Sequence, residues 1–309
     1  MHQLPAMQAP PVWRRTPFSA PPGLSLVAAF PVWDGSTVTR HRATAPRAHL
    51  EFAHALADLS GAAILPYFRK ALAVTSKGGR AAFDPVTVAD RAAERAIRKA
   101  IHTRFPDHGI VGEEYGQVAG AGRYRWVIDP IDGTRAFIMG SPLWGTLIGL
   151  IEGSRPILGL MDQPFTGERF WSDGQRAYWR GRNGKSRRIR TRPCARLADA
   201  VLTSTHPDLF ALREEAARFD TLKSRALMTR FGGDCYGYSL LAAGCIDLIV
   251  EAGLKSYDVV ALIPLIEAAG GCITTWDGGP ATEGGRIIAA GDKRVHQEAM
   301  AILLGGRYG

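Results

Sequence analysis

Cysteine is scarce in this chain: four in 309 residues, set far apart at Cys194, Cys235, Cys245 and Cys272. No CxxC pair is among them, which excludes a zinc knuckle or a disulfide framework and makes a reducing cytoplasm the natural compartment. Long apolar runs are missing as well. The nearest, Thr146 to Ile151, is closed off by Gly145 and Gly153, far short of the roughly 20 residues that span a bilayer. Acids are almost absent from the first segment, where Asp34 alone faces Arg14, Arg15, Arg40, Arg42 and Arg47. Rich in Pro and Ala and without sustained periodicity, residues 1–47 read as a disordered leader that carries no chemistry. Pro5, Pro10, Pro11, Pro17, Pro21 and Pro22 would also break the amphipathic helix of a transit peptide.

What remains has a globular composition, with 46% hydrophobic and 22% charged residues. The net charge of +9 comes partly from the leader. One local cluster, Lys185, Arg187, Arg188 and Arg190, reads as a solvated strand edge, so nucleic acid is not singled out as a partner, and a basic surface suits a small anionic substrate.

Leu50, Phe52, Ala53, Leu56, Ile64 and Leu65 recur at helical spacing and predict a helix from His49 to about Lys70. A second follows Asp90, with Ala93, Ile97, Ala100 and Ile101 on its apolar side and Asp90 near its N-terminus. Strand-like segments follow at 109–111, 126–128, 146–151, 156–161 and 169–171. The later half predicts helices at 208–219, 239–243, 259–269 (kinked at Pro264) and 295–304, with strands at 247–250, 272–276 and 286–290. This mixture indicates layered α/β packing, with an N-terminal α+β metal-binding lobe over 48–190 and a C-terminal α/β lobe over 191–309.

The densest chemical signal is Trp126-Val127-Ile128-Asp129-Pro130-Ile131-Asp132-Gly133-Thr134, an apolar strand that ends in two carboxylates and a tight turn. Such a turn can aim Asp129, Asp132 and the Ile131 carbonyl at one point, the hard oxygen set that Mg²⁺ prefers. If a helix starts at Gly133-Thr134, its backbone N–H groups could hold a phosphate beside the metal. Alone, each carboxylate could equally be a solvated turn residue. Glu113 and Glu114 repeat the pattern of acids at a strand end, after Gly109-Ile110-Val111.

Four blocks in order, Asp84-Pro85-Val86-Thr87-Val88-Ala89-Asp90, Gly112-Glu113-Glu114, Trp126 to Thr134, and Tyr257-Asp258 followed by Glu267-Ala268-Ala269-Gly270-Gly271, make residues 48–305 resemble the inositol monophosphatase family. The resemblance implies a layered αβαβα sandwich and a Mg²⁺-dependent phosphate monoester hydrolase with two or three ions, working as a cytoplasmic homodimer. Carried over by position, one Mg²⁺ is held by Glu113, Asp129 and the Ile131 carbonyl, and a second by Asp129, Asp132 and Asp258. Asp90 orients Thr134, Glu113 and Thr134 position the attacking water, and the Gly133 and Thr134 N–H groups hold phosphate. Glu114 is a supporting neighbour. Tyr257 and Leu262 depart from the inositol pattern.

Those departures, with Asp132 to Phe137 and Arg230 to Tyr236, look like the histidinol-phosphatase branch of the family. Histidinol phosphate carries an ammonium and an imidazole, for which Asp234 and Glu251 would supply complementary charge. Inositol 1-phosphate, another sugar phosphate or a nucleotide monophosphate is the alternative, and some relatives are non-catalytic partners of the transcription or RNA machinery. Arg135 reads equally as a phosphate contact and as a surface ion pair, and His206 as a helix-entry residue.

Overall fold

The computed structural model describes residues 44–70, 74–76 and 85–305; the leader up to residue 43, and Asp84 at the head of the first carboxylate block, lie outside the described residues. Helix α1 (Arg47–Ile64) buries Ala53, Leu56, Ala57 and Ile64, the one-face pattern that its periodicity predicts. A short antiparallel pair, β1 (Val74–Ser76) with β2 (Pro85–Thr87), leads into α2 (Val88–Arg104). Thr87 caps α2 and Asp90 closes the capping box.

Next come β3 (Gly109–Gly112), β4 (Gly116–Val118), β5 (Tyr124–Asp132), α3 (Thr134–Met139), β6 (Gly145–Glu152), β7 (Arg155–Gln163), β8 (Glu168–Ser172), β9 (Ala177–Arg180) and β10 (Ser186–Ile189). The eight strands from β3 to β10 form one sheet in the order β10-β9-β8-β7-β6-β5-β3-β4, antiparallel throughout except for β3 beside β5. The basic cluster falls on its edge strand, where Ser186, Arg187 and Arg188 are exposed, as a solvated edge requires.

The chain continues with β11 (Val201–Ser204), α4 (Arg213–Arg225), β12 (Met228–Phe231), α5 (Asp234–Ala242), β13 (Leu248–Leu254), α6 (Ser256–Val259), α7 (Leu262–Ala269), β14 (Cys272–Thr275), β15 (Gly285–Ala290) and α8 (Lys293–Leu303). A second sheet runs β12-β11-β13-β15-β14.

Strand alternation assigns the layers. Trp126, Ile128, Ile148 and Leu150 turn outward onto Ala53, Leu56, Ile97 and Ile101 of α1 and α2. Leu147 and Met161, on the opposite face, join α5 and α7, which pack in turn against Ile249, Ile287 and Ala289 of the second sheet. On that sheet's far side Leu248, Val250 and Ile288 meet α4 and α8 through Phe219, Leu222, Val295 and Ala299. The result is the αβαβα sandwich expected. Each large apolar side chain fully buried this way contributes about 1.5–3 kcal/mol. Among the described residues no helix is long and apolar enough to cross a membrane.

Several helix boundaries differ from the expectation: α1 ends at Ile64 rather than near Lys70, the chain passing into turns over 65–69. Residue 208 lies in a 3₁₀ turn (Pro207–Leu209) capped by His206, so α4 starts five residues later. The predicted start at Ser239 is late by five residues, because α5 begins at Asp234, whose Asp-Cys-Tyr-Gly-Tyr opening is held by burial rather than by propensity. The kink expected from Pro264 takes the form of a break one turn upstream, at 260–261 between α6 and α7, because Pro264 has no N–H for the Val260 carbonyl and its ring crowds that group. This joint lies hard against the first sheet: a Cβ on Gly159 would stand 1.8 Å from the Ala261 carbonyl oxygen, so only glycine admits it.

Candidate active site

Asp129 and Asp132 are three residues apart and would face opposite sides of a regular strand. The β5–β6 register shifts between them, Asp129 pairing with Leu147 and Asp132 with Gly145, so three steps on β5 match two on β6. This bulge, at the only kind of strand position where Pro130 is tolerated, turns both carboxylates to the inner face. It is pinned from behind: Thr146 Oγ1 donates to the Pro130 carbonyl at 2.7 Å and shares a 2.8 Å bond with Ser60 of α1. Gly133, at φ +86°, then reverses the chain into α3.

Asp258 arrives from α6, where its carboxylate accepts the Lys255 N–H at 2.6 Å. Oxygen atoms of Asp129, Asp132 and Asp258 lie within 4.8 Å of one another. Asp132 also accepts the Cys235 N–H at 2.7 Å, which ties the N-terminus of α5 to the cage. Glu113, at the end of β3, stands beside Asp129 and Asp258 and raises the pKa of both. Asp90, in the first turn of α2, accepts the Thr87 N–H at 2.9 Å and its hydroxyl through Oδ2, while its buried Oδ1 has no protein partner. Thr134 Oγ1 donates to the Ile131 carbonyl at 3.1 Å.

The cage is electrostatically unbalanced. Burial, then Glu113, Asp132 and Asp258, push Asp129 well above the carboxylate range. Burial, then Asp234 and Asp258, do the same to Asp132. Asp258 rises to about 7, by burial and Glu113 against the opposing Lys255 N–H, and burial takes Asp90 to about 6. So many desolvated acids, all hard oxygen donors with one lone pair direction left over at Asp90, fit a bound cation that would restore their ionised forms.

Beyond the cage, Asp234 starts α5 at φ +42°, a strained value for a non-glycine residue, with its Cβ 3.3 Å from where a Gly133 side chain would begin. Its pKa rises to about 7 through burial and Glu251, opposed by Arg135. Glu251 is buried on β13. Its carboxylate accepts the Thr205 N–H at 2.8 Å, the Thr205 hydroxyl at 2.6 Å and the Tyr238 hydroxyl at 2.9 Å, so it reaches its surroundings by charge more than by a spare lone pair. Arg135 is exposed, and Tyr257 packs on Val127, Ile151 and Val260. His206 caps the 3₁₀ turn, accepting the Asp208 N–H at 3.2 Å, as a helix-entry residue would.

Sequence reasoning missed Thr87, Ser60, Thr146 and Glu94. The last is fully buried on α2, and its carboxylate accepts the N–H groups of Glu114 and Tyr115. Glu114 itself lies 3.9 Å from Arg91.

A layered sandwich that brings Asp129, Asp132 and Asp258 together could hold a metal ion, an arrangement suited to the hydrolysis of phosphate monoesters. Residues 46–305 match the model of the inositol monophosphatase family, and the chain belongs to that family. The bifunctional phosphatase IMPL2 of Arabidopsis thaliana, a chloroplastic protein, is 41% identical over 266 residues, 81% of this chain and 73% of that one. A histidinol-phosphatase of Streptomyces coelicolor is 36% identical over 263 residues, 82% and 96% of the two chains. The structure of an inositol monophosphatase from Zymomonas mobilis superposes with a TM-score of 0.73 at 41% identity, covering 83% of this chain and 98% of that one.

Proposed function

We propose that this phosphatase is Mg²⁺-dependent and that its substrate is histidinol phosphate. The observation that carries the substrate reading is the pair of extra acids, Asp234 and Glu251, beside a cage that already has its full set of carboxylates. Carboxylates there can accept hydrogen bonds from a polyol's hydroxyls, but they gain full charge attraction only from a leaving group bearing an ammonium and an imidazole. The histidinol-phosphatase among its relatives supports the same choice.

In this reading Glu113, Asp129 and the Ile131 carbonyl would hold one ion, and Asp129, Asp132 and Asp258 a second. Mg²⁺ held there would supply positive charge to offset the phosphate and favour ionisation of water. The protein's own groups do the rest. The N–H groups of Gly133 and Thr134, at the start of α3, hold the phosphate oxygens. Thr134 and Glu113 align a water on the phosphorus. Asp90 Oδ1, buried and without a protein partner, accepts a hydrogen bond from that water or from Thr134. Asp234 meets the cationic leaving group directly, and Glu251 adds charge from behind.

The test is phosphate release, with Mg²⁺, from histidinol phosphate, inositol 1-phosphate, fructose 1,6-bisphosphate and a 3′-phosphorylated nucleotide. Histidinol phosphate is expected to lead in kcat/KM by about tenfold or more, the worth of one charge-assisted hydrogen bond. Equal or faster turnover of inositol 1-phosphate would overturn the assignment.

A further inference from the structure

Helix α2 carries two acids one turn apart, and they face different things. Asp90 keeps one buried carboxylate oxygen without a protein partner. Glu94 turns instead to the β3–β4 turn: Oε2 accepts the Glu114 N–H at 2.7 Å, and Oε1 accepts the Tyr115 N–H at 3.1 Å and the Arg98 Nε at 2.7 Å. Arg98 Nη2 also donates to the Gly116 carbonyl. The fit leaves no slack, since a Cβ on Gly112 would stand 2.2 Å from Glu94 Oε1. Glu113 lies between Gly112, which is wedged against this carboxylate, and the two N–H groups it holds. Glu94 thus holds the backbone on both sides of Glu113, whose side chain lies beside Asp129 and Asp258.

We propose that Glu94 is a positioning residue for the metal centre: with Arg98 as counter-ion it locks the backbone on either side of Glu113, so that one helix carries Asp90 and fixes Glu113 together. This rests on the reading of the cage as a Mg²⁺ site. The competing role is structural, a buried ion pair that stabilises the fold. The two roles differ in a measurable way, because a structural role lowers thermal stability without changing the affinity of the cage for its ion.

The experiment is isothermal titration of Mg²⁺ into the full-length protein without substrate, for wild type, Glu94→Gln and Arg98→Lys, with a thermal melt of each. Glu94→Gln keeps the shape but sets an amide NH₂ against a backbone N–H. Its Kd for Mg²⁺ is expected to rise about tenfold, while kcat at saturating Mg²⁺ falls less than about threefold. Arg98→Lys, which keeps the Glu94 carboxylate, should raise Kd by about threefold and decides the question if Glu94→Gln does not fold. Unchanged Mg²⁺ affinity in the folded variants, whatever their melting temperature, overturns the proposal. A wild type that binds no Mg²⁺ overturns the metal reading itself, and this inference with it.

Discussion

Asp129 is the residue on which the cage converges: it is buried, it lies against Glu113, Asp132 and Asp258, and both proposed ions share it. Asp129→Asn keeps its volume and removes its charge. Steady-state phosphate release at fixed Mg²⁺ should then show kcat/KM lower by about 10³ or more, the scale on which metal-assisted charge stabilisation acts. Near-normal turnover would show that the ions are held elsewhere. Asp129 and Asp132 were legible in the sequence because their cues are local: a proline, a glycine and a pair of acids where an apolar strand stops; Asp258 came only through the family resemblance. Glu94 was not, because its partners are backbone N–H groups twenty and twenty-one residues away. Its one visible trace is the run Asp90, Glu94, Arg98 at four-residue spacing along a helix face.

At the level of elements, the β5 bulge is the device that makes two acids of odd spacing act together, and it depends on a hydroxyl relay. Thr146→Val preserves shape but leaves the Pro130 carbonyl and Ser60 Oγ without their shared partner in a dry interior. Chemical denaturation should report a loss of about 1–3 kcal/mol; a variant as stable as wild type would mean that the relay contributes nothing. Long elements with a clear period, such as α1 and α2, could be read from sequence alone. The short strands β4, β9, β11 and β12 could not, since three or four residues show no period and belong to the sheet only through neighbours far away in the chain, whereas β10 was betrayed by its charge. The early start of α5 has the same cause: the Cys235 N–H is anchored by Asp132, more than a hundred residues earlier.

For the molecule as a whole, the raised carboxylates make stability depend on pH and on metal together. A carboxyl whose folded pKa lies above its unfolded value of about 4 binds protons more tightly when folded, so its contribution is present in acid and is lost as pH rises through the folded pKa. For Asp90 that loss runs from about pH 4 to about 6, and for Asp234 and Asp258 from about pH 4 to about 7. Metal-free protein should therefore melt lower at pH 8 than at pH 5, by about 5 °C or more, and Mg²⁺ should remove most of the difference. A metal-free melting temperature that does not change between these pH values would contradict this picture of the cage.

Among the described residues the larger sheet ends at β10, with no strand beyond it, and its exposed side chains include Arg187, lying over the Trp179 ring, and Arg188. An open edge is where a sheet can keep growing into another molecule. Here a second copy arriving in antiparallel register would bring guanidinium groups opposite one another at a strand spacing of about 4.8 Å. Facing guanidinium groups disfavour that pairing, the charged-edge device by which a sheet edge is kept from recruiting further strands.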